Sequence, residues 1–166
     1  MKHYLLTAAQ KAATGYTDLF VIQPKIDFTE TTDNTDQTLT LDALAFGDIV
    51  ENRALIEIKE ALGTTAAGTG VPSVDFACTI SLGVTGATTQ FIGASAIAAA
   101  GAATAAKTAY ATAAGAAAYP VPSGGKNLLA TLDITDADGS LAEIEYGEIW
   151  VWMDISRQSV RHDIQV

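Results

Sequence analysis

The sequence predicts an all-β protein, a jelly-roll-like β-sandwich with a long Ala-rich insertion. Seven or eight stretches alternate apolar and polar residues with period two, at fairly regular spacing and separated by turn residues. The connecting loops are long and unequal, as the connections of two Greek keys require. The third observation is the last alternating stretch, Gly147 to Ile155, where Ile149, Val151, Met153 and Ile155 share one face. The other face carries Trp150, Trp152 and Asp154, so both tryptophans of the chain lie outside the core pattern. Either they pack under a neighbouring loop or they anchor a subunit interface, where Trp is enriched.

At 166 residues the chain is long enough for one domain with a real core. Its net charge is -10 and it has no dense basic cluster, which argues against nucleic acid as a partner. Cys78 is the only cysteine, so no internal disulfide forms, and its place on an apolar strand face predicts a buried, inert thiol. The apolar run Tyr4-Leu5-Leu6 stops at Thr7, too short for a signal peptide, and a soluble chain made in a cytoplasm is expected.

Residues 1–17 show only a helical turn or two around Leu5 to Ala13 and are expected as a flexible or docking arm. The sandwich is expected over 18–156, followed by a polar tail over 157–166 in which Val160 and Ile164 pack loosely or reach a neighbour. From Leu19, the residues Phe20, Ile22, Ile26 and Phe28 line one face, and Pro24 marks an edge strand or a bulge. Residues 29–36 are a polar loop. Gln37 to Leu41 is a short strand, and Phe46-Gly47-Asp48 turns into Ile49-Val50. Helix and strand both fit Arg53 to Glu60, but Ala54, Ile56 and Ile58 alternate against Arg53, Glu57 and Lys59, and the Ile content favours strand.

After a Gly/Thr/Ala loop over 62–72, the clearest strand places Val74, Phe76, Cys78, Ile80 and Leu82 on one face and closes at Gly83 and Gly86. Gln90-Phe91-Ile92 is a short candidate strand. Residues 94–118 are mostly Ala. Propensity alone makes Ala94–Ala114 a helix, while Lys107 and the glycines tell against a membrane span. With no large apolar stripe, this segment is expected as a long excursion between strands, its conformation left open. Tyr119 to Gly125 is a turn. Leu128, Ala130, Leu132 and Ile134 then share a face, and Asp136-Ala137-Asp138-Gly139 turns the chain towards Leu141–Tyr146 and the last strand.

Catalytic constellations fail on count or placement, and no enzyme activity and no cofactor is expected. His3 and His162 sit in opposite terminal tails, in no spacing that suggests a metal site. No Gly-x-Ser-x-Gly, phosphate loop or dinucleotide fingerprint is present. Asp136, Asp138, Gly139 and Glu145 match positions of a calcium loop, but position one falls on Ile134, which cannot ligate, and turn chemistry explains the same residues. The plentiful acidic residues are read as solvated faces rather than paired catalytic carboxylates.

Phe46-Gly47-Asp48-Ile49-Val50, the strand ending Ser81-Leu82-Gly83-Val84, and Lys126 to Leu132 leading to Tyr146-Gly147-Glu148-Ile149-Trp150-Val151 carry a resemblance. In this pattern, over roughly residues 36–155, the chain resembles the small virion structural proteins of tailed bacteriophages, with the Ala-rich segment as a departure. The resemblance implies a capsid decoration (cement) protein, a homotrimer on the outer surface of the phage head that bridges neighbouring major capsid proteins. Trp150 and Trp152 are then the candidate oligomer interface, and Leu5, Leu6 and Tyr16 the candidate capsid contact. The alternative is a receptor- or carbohydrate-binding module of a head fibre or tail tip, for which Tyr110 and Tyr119 are the candidate exposed aromatics. An enzyme on a β-sandwich is the third choice.

Overall fold

The computed structural model describes residues 1–32, 35–63, 77–99, 102–103, 109–112, 117–134 and 140–158. Along them run β1 (Lys2–Leu5), α1 (Ala8–Thr14), β2 (Asp18–Ile22), α2 (Pro24–Asp27), β3 (Gln37–Leu44), β4 (Ile49–Gly63) and β5 (Cys78–Val84). Then come β6 (Ala87–Ala99), β7 (Ala102–Ala103), β8 (Ala109–Ala111), β9 (Tyr119–Pro120), β10 (Lys126–Ile134), a single 3-10 turn at Leu141–Glu143, and β11 (Tyr146–Ser156). The strands form two antiparallel sheets, β1-β2-β11-β4-β8 with β9 also on β4, and β3-β10-β5-β6-β7. This is an all-β sandwich.

The pairing is nested. Leaving aside β1, β7 and β9, the first strand β2 pairs with the last, β11, and the second, β3, with the next to last, β10. The third, β4, takes β8, and β5 and β6 close the series as neighbours in a hairpin. Two further pairings, β11 with β4 and β10 with β5, complete the sheets.

Period-two alternation builds the core. From the first sheet Phe20, Ile22, Ala54, Ile56, Ile58, Ile149, Val151, Met153 and Ile155 point inward. From the second come Leu41, Leu44, Cys78, Ile80, Leu82, Val84, Leu128, Ala130, Leu132 and Ile134. The expected inward faces of the strands at Cys78–Leu82, Asn127–Ile134 and Gly147–Ile155 are therefore borne out over the described residues. Val74 and Phe76 lie outside them, as do Val160 and Ile164. Just inside β11, Gly147 holds φ at 121° where the register with β4 shifts, and a Cβ there would sit 3.1 Å from the Leu62 Cα.

Three expectations are corrected, and one turn is added. Pro24 makes no bulge: it opens α2 at the first helical turn, where its missing N–H costs nothing, and this turn leaves Ile26 exposed. Residues 2–5, expected within an arm, are an edge strand on β2. Leu141 to Glu143 form a helical turn before β11 begins. The Ala-rich stretch supplies strands rather than an excursion. Ala94 to Ala99 continue β6, Ile97 enters the core, and β8 pairs Ala109–Ala111 with Leu55–Glu57. Main-chain pairing on an existing edge outweighs the intrinsic helix preference of Ala, which amounts to a few tenths of a kcal/mol per residue.

Candidate functional site

The two groups of residues singled out from the sequence come together on the outer face of the first sheet. β2 and β11 are adjacent, with Trp150 opposite Val21 and Trp152 opposite Leu19. Leu6, Leu19 and Val21 form a second buried apolar cluster outside the sandwich core, with Tyr16, Trp150 and Trp152 packed against it half-buried. Tyr16 tilts against Trp152 at 5.9 Å, and the two indoles meet edge-on at 5.5 Å. Leu6 and Tyr16, candidates for a capsid contact, thus shield the tryptophans that were candidates for a subunit contact. Leu5 remains exposed.

Local sequence explains how the cover is held. Thr7-Ala8-Ala9-Gln10 is a capping box: the Thr7 hydroxyl accepts from the Gln10 N–H at 3.3 Å and the Thr7 N–H donates to Gln10 Oε1 at 2.9 Å. Gly15 ends α1 at φ 77°, and Arg53 of β4 donates to its carbonyl at 2.8 Å. Burial raises the Tyr16 phenol above its usual value despite the nearby Arg53 charge, and does the same for the Asp154 carboxyl.

The indoles carry a polar chain. Trp150 Nε1 donates to Glu148 at 2.6 Å, Trp152 Nε1 donates to Glu57 at 3.2 Å, and Lys59 bonds Glu57 at 3.0 Å. The Lys59 ammonium also lies 4.3 Å from the Trp150 ring centroid. Beside them a groove of about 350 Å³ opens over β2. Leu19 and Val21 floor it, Tyr4 and Trp150 flank it, and Lys2, Gln23 and Glu148 offer polar groups.

A second assembly was not legible in the chain. Asp18 on β2, fully buried, accepts from His3 Nε2 at 2.8 Å, from the Thr17 hydroxyl and from Arg157 at 2.6 Å. The same guanidinium nitrogen lies 2.8 Å from Asp42 Oδ2 on β3, a charge contact outside hydrogen-bonding geometry. Burial opposes the charge of Arg157, but the two carboxylates, Asp18 by hydrogen bond and charge and Asp42 by its close charge, outweigh it and hold the group above its usual pKa. The ligating atoms of His3, Asp18 and Asp42 lie within 4.8 Å of one another, close enough for a metal. Arg157 already bridges both carboxylates, so the chemistry present is an ion-pair network that ties the first sheet to the second.

The remaining candidates fall elsewhere. Cys78 is buried, and burial, helped by the Asp133 charge, pushes its thiol up to about 12, as expected of an inert group. Tyr110 and Tyr119 are half-buried rather than displayed on loops. Tyr110 bonds the Ala96 carbonyl, and Tyr119 packs edge-on against Phe91 at 6.0 Å. His162, Asp136, Asp138 and Gly139 lie outside the described residues. The described candidates His3 and Cys78 are on opposite sheets. No protein-family model, curated protein or solved structure matches this chain.

Proposed function

We propose that the chain is a structural protein of a phage virion, a jelly roll that binds the outer surface of the capsid and stabilises it by bridging major capsid proteins. The nested order β2–β11, β3–β10, β4–β8, β5–β6 supports the jelly roll, since two Greek keys folded together pair strands in that way. The observation that carries the docking role is the outer face of the first sheet. It holds an apolar cluster of its own, and an open groove between β1 and Trp150 remains uncovered. Clamping by such a face needs several weak contacts made at once, which a multimer supplies. The resemblance implies three copies.

Cosedimentation with empty capsids tests this. The wild-type chain should pellet with them and raise the temperature at which they open; Gln23→Arg with Lys2→Glu, at the groove rim, should abolish both while the isolated protein melts unchanged. A wild-type chain that stays in the supernatant refutes the docking role.

The groove favours one other reading, a receptor- or carbohydrate-binding module. Tyr4 and Trp150 can meet the apolar face of a sugar while Lys2, Gln23 and Glu148 reach its hydroxyls. A glycan-array signal lost in Gln23→Ala and kept in Tyr119→Ala would select that reading.

A further inference from the structure

β1 is an end strand of its sheet and pairs, among the described residues, only with β2. Its backbone phase can be read from one bond. The Leu6 N–H donates to the Thr17 carbonyl at 2.8 Å, one step beyond the Leu5–Asp18 register. In an antiparallel pair, bonded and non-bonded positions alternate. Leu6, Tyr4 and Lys2 are therefore the positions bonded to β2, and His3 and Leu5 direct their N–H and C=O groups to the open edge. Neither a Pro nor a bulge blunts that edge, and Lys2 is its only Lys. Of the six exposed large apolar side chains among the described residues, Met1, Tyr4 and Leu5 fall within the first five positions.

The two outward-facing residues lie symmetrically about Tyr4. We infer that β1 pairs antiparallel with β1 of a second copy, Tyr4 opposite Tyr4, so that the first sheets of two molecules join into one. In this register His3 faces Leu5 of the second copy and Leu5 faces its His3. Each facing pair exchanges two main-chain hydrogen bonds, so every outward group finds a partner. Tyr4 meets Tyr4 at the close, non-bonded position, on the face where aromatic cross-strand pairs are favourable. Any strand could match the hydrogen bonds, but a second copy also sets the exposed Tyr4 against itself on a two-fold axis. Such a contact is isologous and closes at two copies, in place of the three that the resemblance implies. It does not depend on the virion reading: capsid binding can fail while the pair persists.

The contact is short, so its affinity is modest, and the charge of -10 on each copy makes it tighten with added salt. Light scattering across a dilution series up to about 1 mM, a range suited to weak pairs, should show a reversible monomer–dimer equilibrium. Leu5→Lys, which places a charge on the edge, should weaken it about tenfold or more at an unchanged melting temperature. Under mild oxidation Tyr4→Cys should give a disulfide-linked dimer. Leu5→Cys should not, because the two Leu5 Cα atoms would stand beyond the roughly 7 Å limit for bridging, and the native Cys78 is buried. A monomer at every concentration overturns the inference. So does a trimer indifferent to Leu5→Lys, or Leu5→Cys cross-linking as readily as Tyr4→Cys.

Discussion

Replacing Arg157 by Met tests whether the Asp18 network holds the two sheets together. Met keeps much of the aliphatic stem and removes the guanidinium. Asp18, fully buried in the wild-type chain, then keeps only His3 and Thr17 as partners. A hydrogen bond between charged groups contributes about 1.5–3 kcal/mol, and the half-screened contact to Asp42 adds no more than about 1 kcal/mol. Breaking a fully buried pair costs about 3–5 kcal/mol, but the Arg157 side chain is 32% exposed, so water can approach the carboxylate it leaves. The expected loss is therefore about 2–3 kcal/mol, or a fall in melting temperature of about 5–10 °C for a domain of this size. Calorimetry at neutral pH reads it directly. Asp18→Asn in the same background removes the stranded charge, so the double variant should lose clearly less than the sum of the single losses. A melting temperature within about 1 °C of wild type for Arg157→Met would refute the reasoning, and strictly additive losses would show that the two residues do not act as a pair.

Three further outcomes follow from single positions. Gly83→Ala places a Cβ 2.1 Å from the Ala87 carbonyl oxygen, a backbone atom in the facing strand; denaturant melts should show a loss of about 3 kcal/mol, whereas Gly93→Ala, with nothing within 4 Å, should be nearly neutral. Cys78, its thiol pushed up to about 12, should resist maleimide in the native state, and the labelled fraction should track the unfolding curve. Burial raises the folded-state pKa of Asp154, which disfavours its charged form on folding, so the penalty is full above that pKa and fades as pH falls through it. Asp154→Asn should therefore stabilise by a few tenths of a kcal/mol at pH 7, and the gain should close towards pH 3; an equal gain at both pH values would contradict this cause.

What the chain made legible, and what it hid, divides by the range of the forces involved. Cys78, Ile80 and Leu82, or Ile149, Val151 and Met153, announce their faces because alternation is local and burial rewards it at every second residue. The same rule misled at Ile26, where Pro24 opens a helical turn and breaks the phase. Thr7 and Gln10, by contrast, carry a readable capping signal in their three-residue spacing. Asp18, Asp42 and Arg157 carried no signal of any kind. They are far apart in sequence, and only the rolling of β2 and β3 into different sheets sets their charges side by side.

The Ala-rich segment shows why propensity fails where topology decides. Ala has the strongest intrinsic helix preference, yet an isolated Ala helix has no apolar stripe to bury and gains only its own hydrogen bonds. β5 and β4 each present an unpaired row of donors and acceptors on one side. Pairing there satisfies the same backbone groups and also the edges, and it lets Ile97 enter the core and Tyr110 pack against it. Small side chains suit this task, because they pair without enlarging the sheet's outer surface. Among the described residues, no comparable segment covers the first sheet's opposite margin, β1. The sheet that conceals one margin with alanines leaves the other, with Tyr4 and Leu5 exposed, as the place where the proposed second molecule continues it.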